Sequence, residues 1–218
     1  MNNYNDYIFN DGDFIGNFEE MYQACEDPWL HITNKHDNLI DRLIALRWMK
    51  KIREEQEVKR ILEYGSRLGH VSKKIYNEGF DITGVDISAT AVARAKSFNP
   101  EPTYIQGSIN QKKILHNKSP DIIFLSHITR YVLDVIDEAL KNFKEYAFTQ
   151  DKKNHLIHLL ETYPEGQQTY GVDKFTNHTE IMKYFKLNYR EFGSISHTFD
   201  NGKGTQRSIS NFFWAEIQ

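Results

Sequence analysis

The sequence lacks several features that would assign it to a class of protein at once. One cysteine, Cys25, stands in 218 residues, which excludes an internal disulfide and makes a reducing cytoplasm the expected location. No apolar run reaches the roughly 20 residues that cross a bilayer. The opening stretch MNNYNDYIFNDGDF has no basic segment followed by apolar residues, so we do not expect a signal peptide. The expectation is a cytoplasmic protein that does not contact membranes.

An excess of charge of one sign is also missing. The chain has 27 Lys and Arg against 30 Asp and Glu, a formal net charge of −3, so it lacks the basic footprint of a nucleic-acid-binding domain. Its nine histidines are scattered, and none is spaced with carboxylates as a metal site requires. The stretch FLSHI lacks the glycines that flank the nucleophile of a serine hydrolase. We therefore expect neither a nucleic-acid partner nor a metal.

What the sequence does contain is a regular alternation of strands and helices from about residue 58 onward. Hydrophobic residues at 39% and charged residues at 26% suit one globular domain. Two long β-rich segments close the chain around the polar stretch DNGKGTQ, and this arrangement predicts a hairpin. The predicted strands are VKRILEYG, DITGVDIS, TYIQGS, PDIIFLSH and NHLIHLLETY, followed by the hairpin segments NYREFGSISHTF and RSISNFFWAEI.

This order predicts an α/β fold of the Rossmann-like, doubly wound kind. Strand–helix alternation implies a parallel sheet with helices on both faces, and the terminal hairpin adds an antiparallel strand. We expect a mostly parallel seven-stranded sheet in residues 51–218. We expect residues 1–50 to form a helical N-terminal extension that packs on this core as a lid and forms part of the ligand pocket, because the segment is too short for a core of its own and too rich in aromatic residues for a free tail.

Ligands of such sheets bind beyond the carboxyl ends of the strands, so the residues after each strand are the candidate site. The first strand is followed by Gly65, Ser66, Arg67 and Gly69. Gly65 permits a tight turn, and Gly69 permits close packing or the close approach of a ligand. Asp86 ends the second strand 21 positions after Gly65 (86 − 65), an offset at which an acidic residue accepts hydrogen bonds from ribose hydroxyls. The pattern predicts a ribose-bearing cofactor.

The same residues resemble the class I S-adenosylmethionine-dependent methyltransferases. The stretch EYGSRLG, Glu63 to Gly69, follows that family's acidic-x-Gly-x-Gly-x-Gly motif except at Arg67, and Asp86 matches its second acidic position. The stretch DIIFLSHITRYV, residues 121–132, is similar to its fourth strand, and the terminal hairpin is also a feature of the family. The resemblance covers about residues 58–218 and implies S-adenosylmethionine as cofactor, with S-adenosylhomocysteine as product. The positions that it implies for cofactor binding are Glu63, Gly65, Ser66, Arg67, Gly69, Asp86, Ile87, Ser108, Ile109 and Ser126.

Two of these positions depart from the family pattern. Ser108 stands where many members carry an aspartate that contacts adenine, and its hydroxyl can still make one hydrogen bond. Arg67 replaces the middle glycine and would have to adopt a positive φ at a cost of about 1 kcal/mol. Three interpretations of Arg67 stay open: a tolerated variation, a contact to a carboxylate of the cofactor or substrate, or the sign of a lost cofactor site.

The N-terminal region resembles a narrower group, the nodulation-type methyltransferases and their relatives. The stretch FEEMYQACEDPWLH places Asp27, Pro28 and Trp29 where that group has an Asp-Pro-Trp sequence before the helix that leads into the core. The resemblance implies a small acceptor such as a sugar or an amino sugar. Trp29 is then either an anchor of the extension or a wall of the cofactor or acceptor pocket.

Three residues are candidates for the chemistry. Methyl transfer to a hydroxyl needs a group that removes a proton, and histidine is the usual base at neutral pH. His127 follows the fourth strand, beside the place where the family's methyl group emerges, His31 follows the Asp-Pro-Trp sequence, and Glu161 lies at the end of the fifth strand. A structural hydrogen-bonding role is the alternative for His127.

The sequence thus predicts a methyltransferase that acts on a small polar acceptor. An oxygen of a sugar, of a glycan precursor or of its substituent, phosphorylated ones included, is the first choice, and an amine stays open. Two other classes also stay open. One is a nicotinamide-dependent oxidoreductase, since the glycines and Asp86 also fit NAD. The other is a non-catalytic cofactor-binding protein, since Arg67 and Ser108 depart from the motif.

Overall fold

A seven-stranded sheet forms the centre of the protein in a computed structural model. The structure describes residues 5–10, 13–29, 40–164, 170–200 and 205–217. In chain order the elements are α1 (Asn5–Ile8), β1 (Phe9–Asn10), β2 (Asp13–Phe14), α2 (Phe18–Ala24), α3 (Ile40–Gln56), β3 (Arg60–Tyr64), α4 (His70–Asn77), β4 (Asp81–Asp86), α5 (Ala89–Phe98), β5 (Thr103–Gln106), α6 (Lys112–Lys118), β6 (Ile122–Ser126), a 3-10 helix (Thr129–Val132), α7 (Ile136–Phe148), β7 (Asn154–Thr162), α8 (His178–Phe185), β8 (Asn188–Asp200) and β9 (Thr205–Ile217).

The strands of this sheet lie in the order β5-β4-β3-β6-β7-β9-β8. The five strands from β3 to β7 pair in parallel, whereas β9 runs antiparallel to both β7 and β8. The predicted Rossmann-like fold with a C-terminal antiparallel hairpin is therefore confirmed. The chain adds β4 and β5 on one side of β3 and then crosses to β6 on the other side. The loops after β3 and β6 consequently diverge, and a crevice for a ligand opens between them.

Two apolar layers cover the opposite faces of the sheet. Side chains alternate between the faces along β3: Ile61 belongs to a buried cluster with Trp48 and Met49 of α3, and Leu62 belongs to another with Phe143 of α7. The strand β6 is buried along its whole length, as expected of a parallel strand covered on both sides. These central strands fix the positions of the loops that follow them.

The helix boundaries agree with the capping residues read from the sequence. Ser88 begins α5, and its Oγ accepts a hydrogen bond from Ala91 N at 3.0 Å. Gly79, with φ 84°, follows α4. The short helix α6 and the 3-10 helix were not predicted. Within the described ranges, no helix has the length and apolar composition needed to cross a bilayer.

The described part of the N-terminal region packs against α5 and against the loop after β3. Ile8 and Met21 have no exposed surface, and both lie in a buried cluster with Leu68 of that loop. Glu19 of α2 adds a polar contact, since its carboxylate accepts a hydrogen bond from Ser88 Oγ at 2.7 Å. The region is thus fixed at the carboxyl edge of the sheet, where the crevice lies.

Candidate active site

A partly open pocket lies at the carboxyl edge of the sheet, beside the crevice between β3 and β6. Several of the predicted cofactor-binding residues line this one pocket although they come from distant parts of the chain. They are Trp29, Gly65, Arg67, Asp86, Ile87, Ser108 and Ile109.

The loop after β3 contains two glycines whose backbone conformation the fold requires. Gly65 has φ 77° and Gly69 has φ 79°, in the left-handed region that favours glycine. A Cβ on Gly65 would lie 2.0 Å from Ile128 Cγ2, and one on Gly69 would lie 2.3 Å from Tyr104 Oη. The loop therefore packs closely on the segment after β6 and on β5, and a larger residue fits at neither position.

The middle position of the loop has the same left-handed backbone, with φ 54°, although its residue is Arg67. This conformation costs a non-glycine residue about 1–2 kcal/mol, so the loop keeps the shape of the glycine motif despite the substitution. The Arg67 guanidinium reaches the end of β6, where its Nη2 lies 3.4 Å from His127 O and 3.5 Å from Ser126 O. Its Cζ lies 5.3 Å from the centre of the Trp29 ring. The side chain thus connects three separate parts of the pocket.

Asp86 ends β4 and lines the pocket beside this loop. Its carboxylate accepts hydrogen bonds from the backbone N of Arg67 at 2.8 Å and of Ser88 at 3.0 Å. Burial raises the pKa of Asp86, although the amide bonds act in the opposite direction. An ionised carboxylate accepts about four hydrogen bonds, so Asp86 can accept from a further donor, such as a ribose hydroxyl, beyond the backbone amides that it already binds.

Three residues at the ends of β4 and β5 extend the pocket wall beyond Asp86: Ile87, Ser108 and Ile109. Ile87 is 56% exposed and Ile109 is buried. Apolar side chains at this place suit the face of a flat ring such as adenine, and the Ser108 hydroxyl can donate or accept a hydrogen bond at its edge. The residues present therefore fit an adenosine-bearing cofactor.

Four of the predicted cofactor-binding residues, Glu63, Ser66, Gly69 and Ser126, are not among the described residues that line the pocket. Glu63 is buried behind the loop and accepts a hydrogen bond from Ser72 Oγ of α4. Burial raises the pKa of Glu63 to about 7. Ser66 and Ser126 are also buried. We interpret Glu63 as a support of the loop after β3, because its hydrogen bond lies within the fold, whereas the buried hydroxyls of Ser66 and Ser126 have no hydrogen-bond partner among the described residues.

Aromatic side chains of the N-terminal region form another wall of the pocket. Trp29 lines the pocket, and a pocket wall is one of the two alternatives that the sequence left open for this residue. Its Nε1 donates a hydrogen bond to Tyr22 Oη at 3.1 Å. The rings of Phe18 and Tyr131 lie 5.5 Å apart, edge to face, and both residues also line the pocket. The sequence indicated that the aromatic N-terminal region forms part of the pocket but did not single out Phe18 and Tyr22, although their i, i+4 spacing on α2 is the signal of one helix face.

His127 follows β6 and has a left-handed backbone, with φ 56°. Such strain in a non-glycine residue is often found at functional sites. Its imidazole Nε2 lies 2.9 Å from Oδ2 of Asp41, the second residue of α3. The His127 side chain is 13% exposed and the Asp41 side chain 1%. Ile128 and the guanidinium of Arg67, which both border His127, line the pocket, whereas His127 and Asp41 are not among its described lining residues.

Asp41 is the negative member of this pair. Burial by itself would raise its pKa, but the neighbouring His127, together with a hydrogen bond from Arg42 N to Oδ1 at 2.7 Å, holds the pKa of Asp41 below its ordinary value. A partner on one ring nitrogen fixes the tautomer and orientation of an imidazole. The arrangement can therefore hold His127 ready to take a proton on its other nitrogen.

The other two candidates for chemistry have no observed connection to this pair. His31 lies outside the described residues. Glu161 lies on β7, where its Oε2 accepts a hydrogen bond from Tyr163 Oη at 3.4 Å and its backbone O accepts one from Arg130 Nη2 at 2.8 Å. Glu161 is also absent from the described lining of the pocket. These contacts join Glu161 to Arg130 and Tyr163, and its role in transfer stays a prediction.

The comparison with protein families matches residues 34–163 to the family described as "Methyltransferase domain". The chain belongs to this family. The matched range covers more than half of the chain and contains both loops of the pocket as well as Asp41 and His127. Membership in this family decides against the nicotinamide-dependent oxidoreductases. No curated protein matches the chain.

Several solved structures are similar to this methyltransferase in fold. TehB from Haemophilus influenzae is 16% identical, with a TM-score of 0.64 over 88% of this chain and 67% of that one. The N-methyltransferase NodS from Bradyrhizobium japonicum WM9, in complex with S-adenosylhomocysteine, is 16% identical, with a TM-score of 0.58 over 91% and 96%. Phosphoethanolamine N-methyltransferase 2 from Haemonchus contortus, in complex with S-adenosylmethionine, is 14% identical, with a TM-score of 0.52 over 72% and 48%.

Identities this low show the fold alone. The class I methyltransferase fold predicted from the sequence is confirmed, whereas the narrower nodulation-type specificity is not. The ligands named for two of these structures are consistent with the cofactor that the sequence predicted.

Proposed function

We propose that this methyltransferase transfers the methyl group of S-adenosylmethionine to a hydroxyl oxygen of a small polar acceptor, in the first place a sugar or a glycan precursor. The contact between Asp41 and His127, which directly follows β6, carries this proposal, with Nε2 and Oδ2 2.9 Å apart. A hydroxyl is a poor nucleophile while it keeps its proton, so it depends on a nearby base more than an amine does.

The residues around the pocket suit the cofactor along its length. Asp86 would accept hydrogen bonds from the ribose hydroxyls, and Ile87 and Ile109 would enclose the adenine, with one hydrogen bond from Ser108. The turn at Gly65 would let the backbone approach the ligand closely. When bound, S-adenosylmethionine supplies a methyl carbon made reactive by the positively charged sulfur.

His127 would act as the base. It would take the proton of the acceptor hydroxyl on Nδ1, while Asp41 holds the Nε2 side of the ring. The Asp41 carboxylate would then stabilise the imidazolium that results. The fixed ring would also position the acceptor, and correct positioning contributes much of the acceleration in a displacement reaction.

The N-terminal region would complete the site. Phe18, Tyr22 and Trp29 line one side of the pocket, and α3 brings Asp41 to His127. In this proposal residues 1–50 act as a lid and a support for the base, and not as an independent domain. A lid of this kind keeps water from the reacting groups.

Turnover with a panel of acceptors tests the proposal. The panel contains free sugars, nucleotide sugars and phosphorylated small metabolites, with amino sugars as its amine arm, and formation of S-adenosylhomocysteine is measured. We expect a hydroxyl acceptor to react, and His127→Asn to lower turnover on it by about 10²-fold or more with little change in affinity for S-adenosylhomocysteine. His116→Asn, at an exposed histidine of α6, is the matched control.

The outcomes of this panel separate the open alternatives. Reaction with an amine alone, and only a small effect of His127→Asn on it, would indicate an N-methyltransferase. Binding of S-adenosylhomocysteine without turnover on any acceptor would favour the non-catalytic cofactor-binding protein. Full turnover of His127→Asn on a hydroxyl acceptor would reject the role of His127 and leave the methyltransferase assignment in place.

A further inference from the structure

Arg67 is the residue of the pocket that the glycine motif does not account for. We propose that its guanidinium binds the carboxylate at the amino-acid end of the cofactor, the part of S-adenosylmethionine that the ribose site does not hold. The proposal rests on the cofactor named above, and it adds a contact that a glycine at this position cannot make.

The backbone of Arg67 places its side chain beside the ligand. In loops of this kind the middle glycine allows the backbone to come close to the bound group, so a side chain at this position begins next to that group. Arg67 keeps the left-handed φ of 54° that glycine adopts freely, and its N–H is held by Asp86 Oδ2 at 2.8 Å. An arginine that occupies a strained position between two glycines of the same loop indicates a use for its side chain.

The Arg67 guanidinium and Asp86, the proposed ribose-binding residue, lie on opposite sides of β3. Asp86 ends β4, whereas the Arg67 guanidinium reaches the carbonyl oxygens of Ser126 and His127 at the end of β6. In the sheet β4 and β6 flank β3, which separates the two places by about 10 Å, or two strand spacings. This order matches the cofactor, in which the amino-acid chain extends away from the ribose.

The present contacts of Nη2 can give way to a stronger one. Its distances of 3.4 and 3.5 Å to the two carbonyl oxygens are longer than those of good hydrogen bonds. A carboxylate offers the guanidinium two parallel, charge-assisted bonds instead. Trp29, whose ring lies 5.3 Å from the Arg67 Cζ, would keep the guanidinium in place during this exchange and so reduce the loss of side-chain freedom.

The electrostatics of the pocket agree with this assignment. The positive charge of Arg67 opposes the rise that burial causes in the pKa of Glu63 and of Asp86. The guanidinium therefore acts as a cation close to the glycine loop. The Arg67 charge would attract a carboxylate that binds there. Without this charge, the neighbouring acidic groups Glu63 and Asp86 would repel that carboxylate.

Binding of two ligands by calorimetry tests the proposal without an acceptor. S-adenosylhomocysteine carries the amino-acid end, and 5′-methylthioadenosine has the same adenosine and thioether sulfur but lacks that end. The main variant is Arg67→Gly, because glycine adopts the observed φ without strain and removes only the side chain. We expect it to bind S-adenosylhomocysteine about tenfold more weakly or worse, and 5′-methylthioadenosine about as tightly as the parent. Arg67→Lys should fall between the two, since it keeps the charge without the planar fork.

Two results would overturn the proposal. One is unchanged affinity of Arg67→Gly for S-adenosylhomocysteine, and the other is an equal loss for both ligands, which would mean that Arg67 acts only through the loop. Thermal unfolding monitors the fold of each variant, and Arg67→Gln replaces Arg67→Gly in the same comparison if the glycine variant is unfolded. A parent protein that binds neither ligand would instead refute the cofactor assignment on which the inference depends.

Discussion

The imidazole of His127 and the carboxylate of Asp41 approach within 2.9 Å across the boundary between the sheet and the N-terminal helix α3. His127 belongs to the segment after β6, and Asp41 is held by its own helix, where Arg42 N donates to Oδ1 at 2.7 Å. The contact therefore makes the orientation of a proposed base depend on a residue outside the cofactor loops.

Asp41→Asn should lower turnover by about tenfold or more and leave the affinity for S-adenosylhomocysteine unchanged. An amide keeps the size of the carboxylate, but it carries no charge to stabilise an imidazolium and does not fix the tautomer of His127. Turnover with a reactive hydroxyl acceptor is measured across pH, because a purely structural role would not change the pH profile. Asp151→Asn, at an exposed position between α7 and β7, is the control. An unaltered rate and profile in Asp41→Asn would contradict the role of Asp41.

Asp86→Asn should weaken the binding of S-adenosylhomocysteine about tenfold or more. Hydrogen bonds to a charged group contribute about 1.5–3 kcal/mol each, and the amide loses both the charge and one acceptor for the ribose hydroxyls. Asp81→Asn is the matched control, because Asp81 is an exposed residue at the opposite end of the same strand. Calorimetry gives the affinities, and equal binding by Asp86→Asn and the parent would move the ribose site elsewhere.

The fold could be predicted from the sequence because its signals are local. The apolar runs of β3 and β6, the cap at Ser88 and the spacing of Gly65 and Asp86 are all visible within short stretches of chain, and each fixes an element or a turn. Since parallel strands end at one edge of the sheet, these local signals also located the cofactor half of the pocket.

The remaining parts of the site depend on contacts between distant segments, which no short pattern records. Asp41 belongs to no motif, and its place beside His127 follows only from how α3 packs on the sheet. Phe18 and Tyr22 carried a helical signal, but the surface that their helix covers is set by tertiary packing. A positive φ is unfavourable for an arginine, and the structure shows that Arg67 adopts it between two glycines, Gly65 and Gly69, that also have a positive φ.

Glu63 should make the stability of the protein depend on pH. Burial raises its pKa from 4.5 to about 7, so between these pH values the unfolded chain loses the proton while the folded chain keeps it. The contribution of Glu63 to stability is therefore fully present below pH 4.5 and is lost as the pH rises to about 7. At about 1.4 kcal/mol per pKa unit, the loss is on the order of 3 kcal/mol.

Glu63→Gln should remove this dependence, because an amide does not titrate and still accepts a hydrogen bond from Ser72. We expect the variant to be more stable than the parent at pH 8 and about equally stable at pH 4.5, as measured by urea unfolding at a series of pH values. Glu55→Gln, at an exposed position of α3, should show the pH dependence of the parent. Parallel stability curves for Glu63→Gln and the parent would mean that the buried carboxyl does not titrate in this range.

Deleting residues 1–30 should leave a folded core that binds the cofactor more weakly and transfers poorly. The clusters on the two faces of the sheet do not include the residues described in that segment, so β3 to β9 keep their packing. The deletion does remove Phe18, Tyr22 and Trp29 from the pocket wall, and water would then reach the reacting groups. Circular dichroism reports on the fold, calorimetry on the binding of S-adenosylhomocysteine, and acceptor methylation on turnover. If the truncated protein matched the parent in both binding and rate, the N-terminal region would have no part in the site.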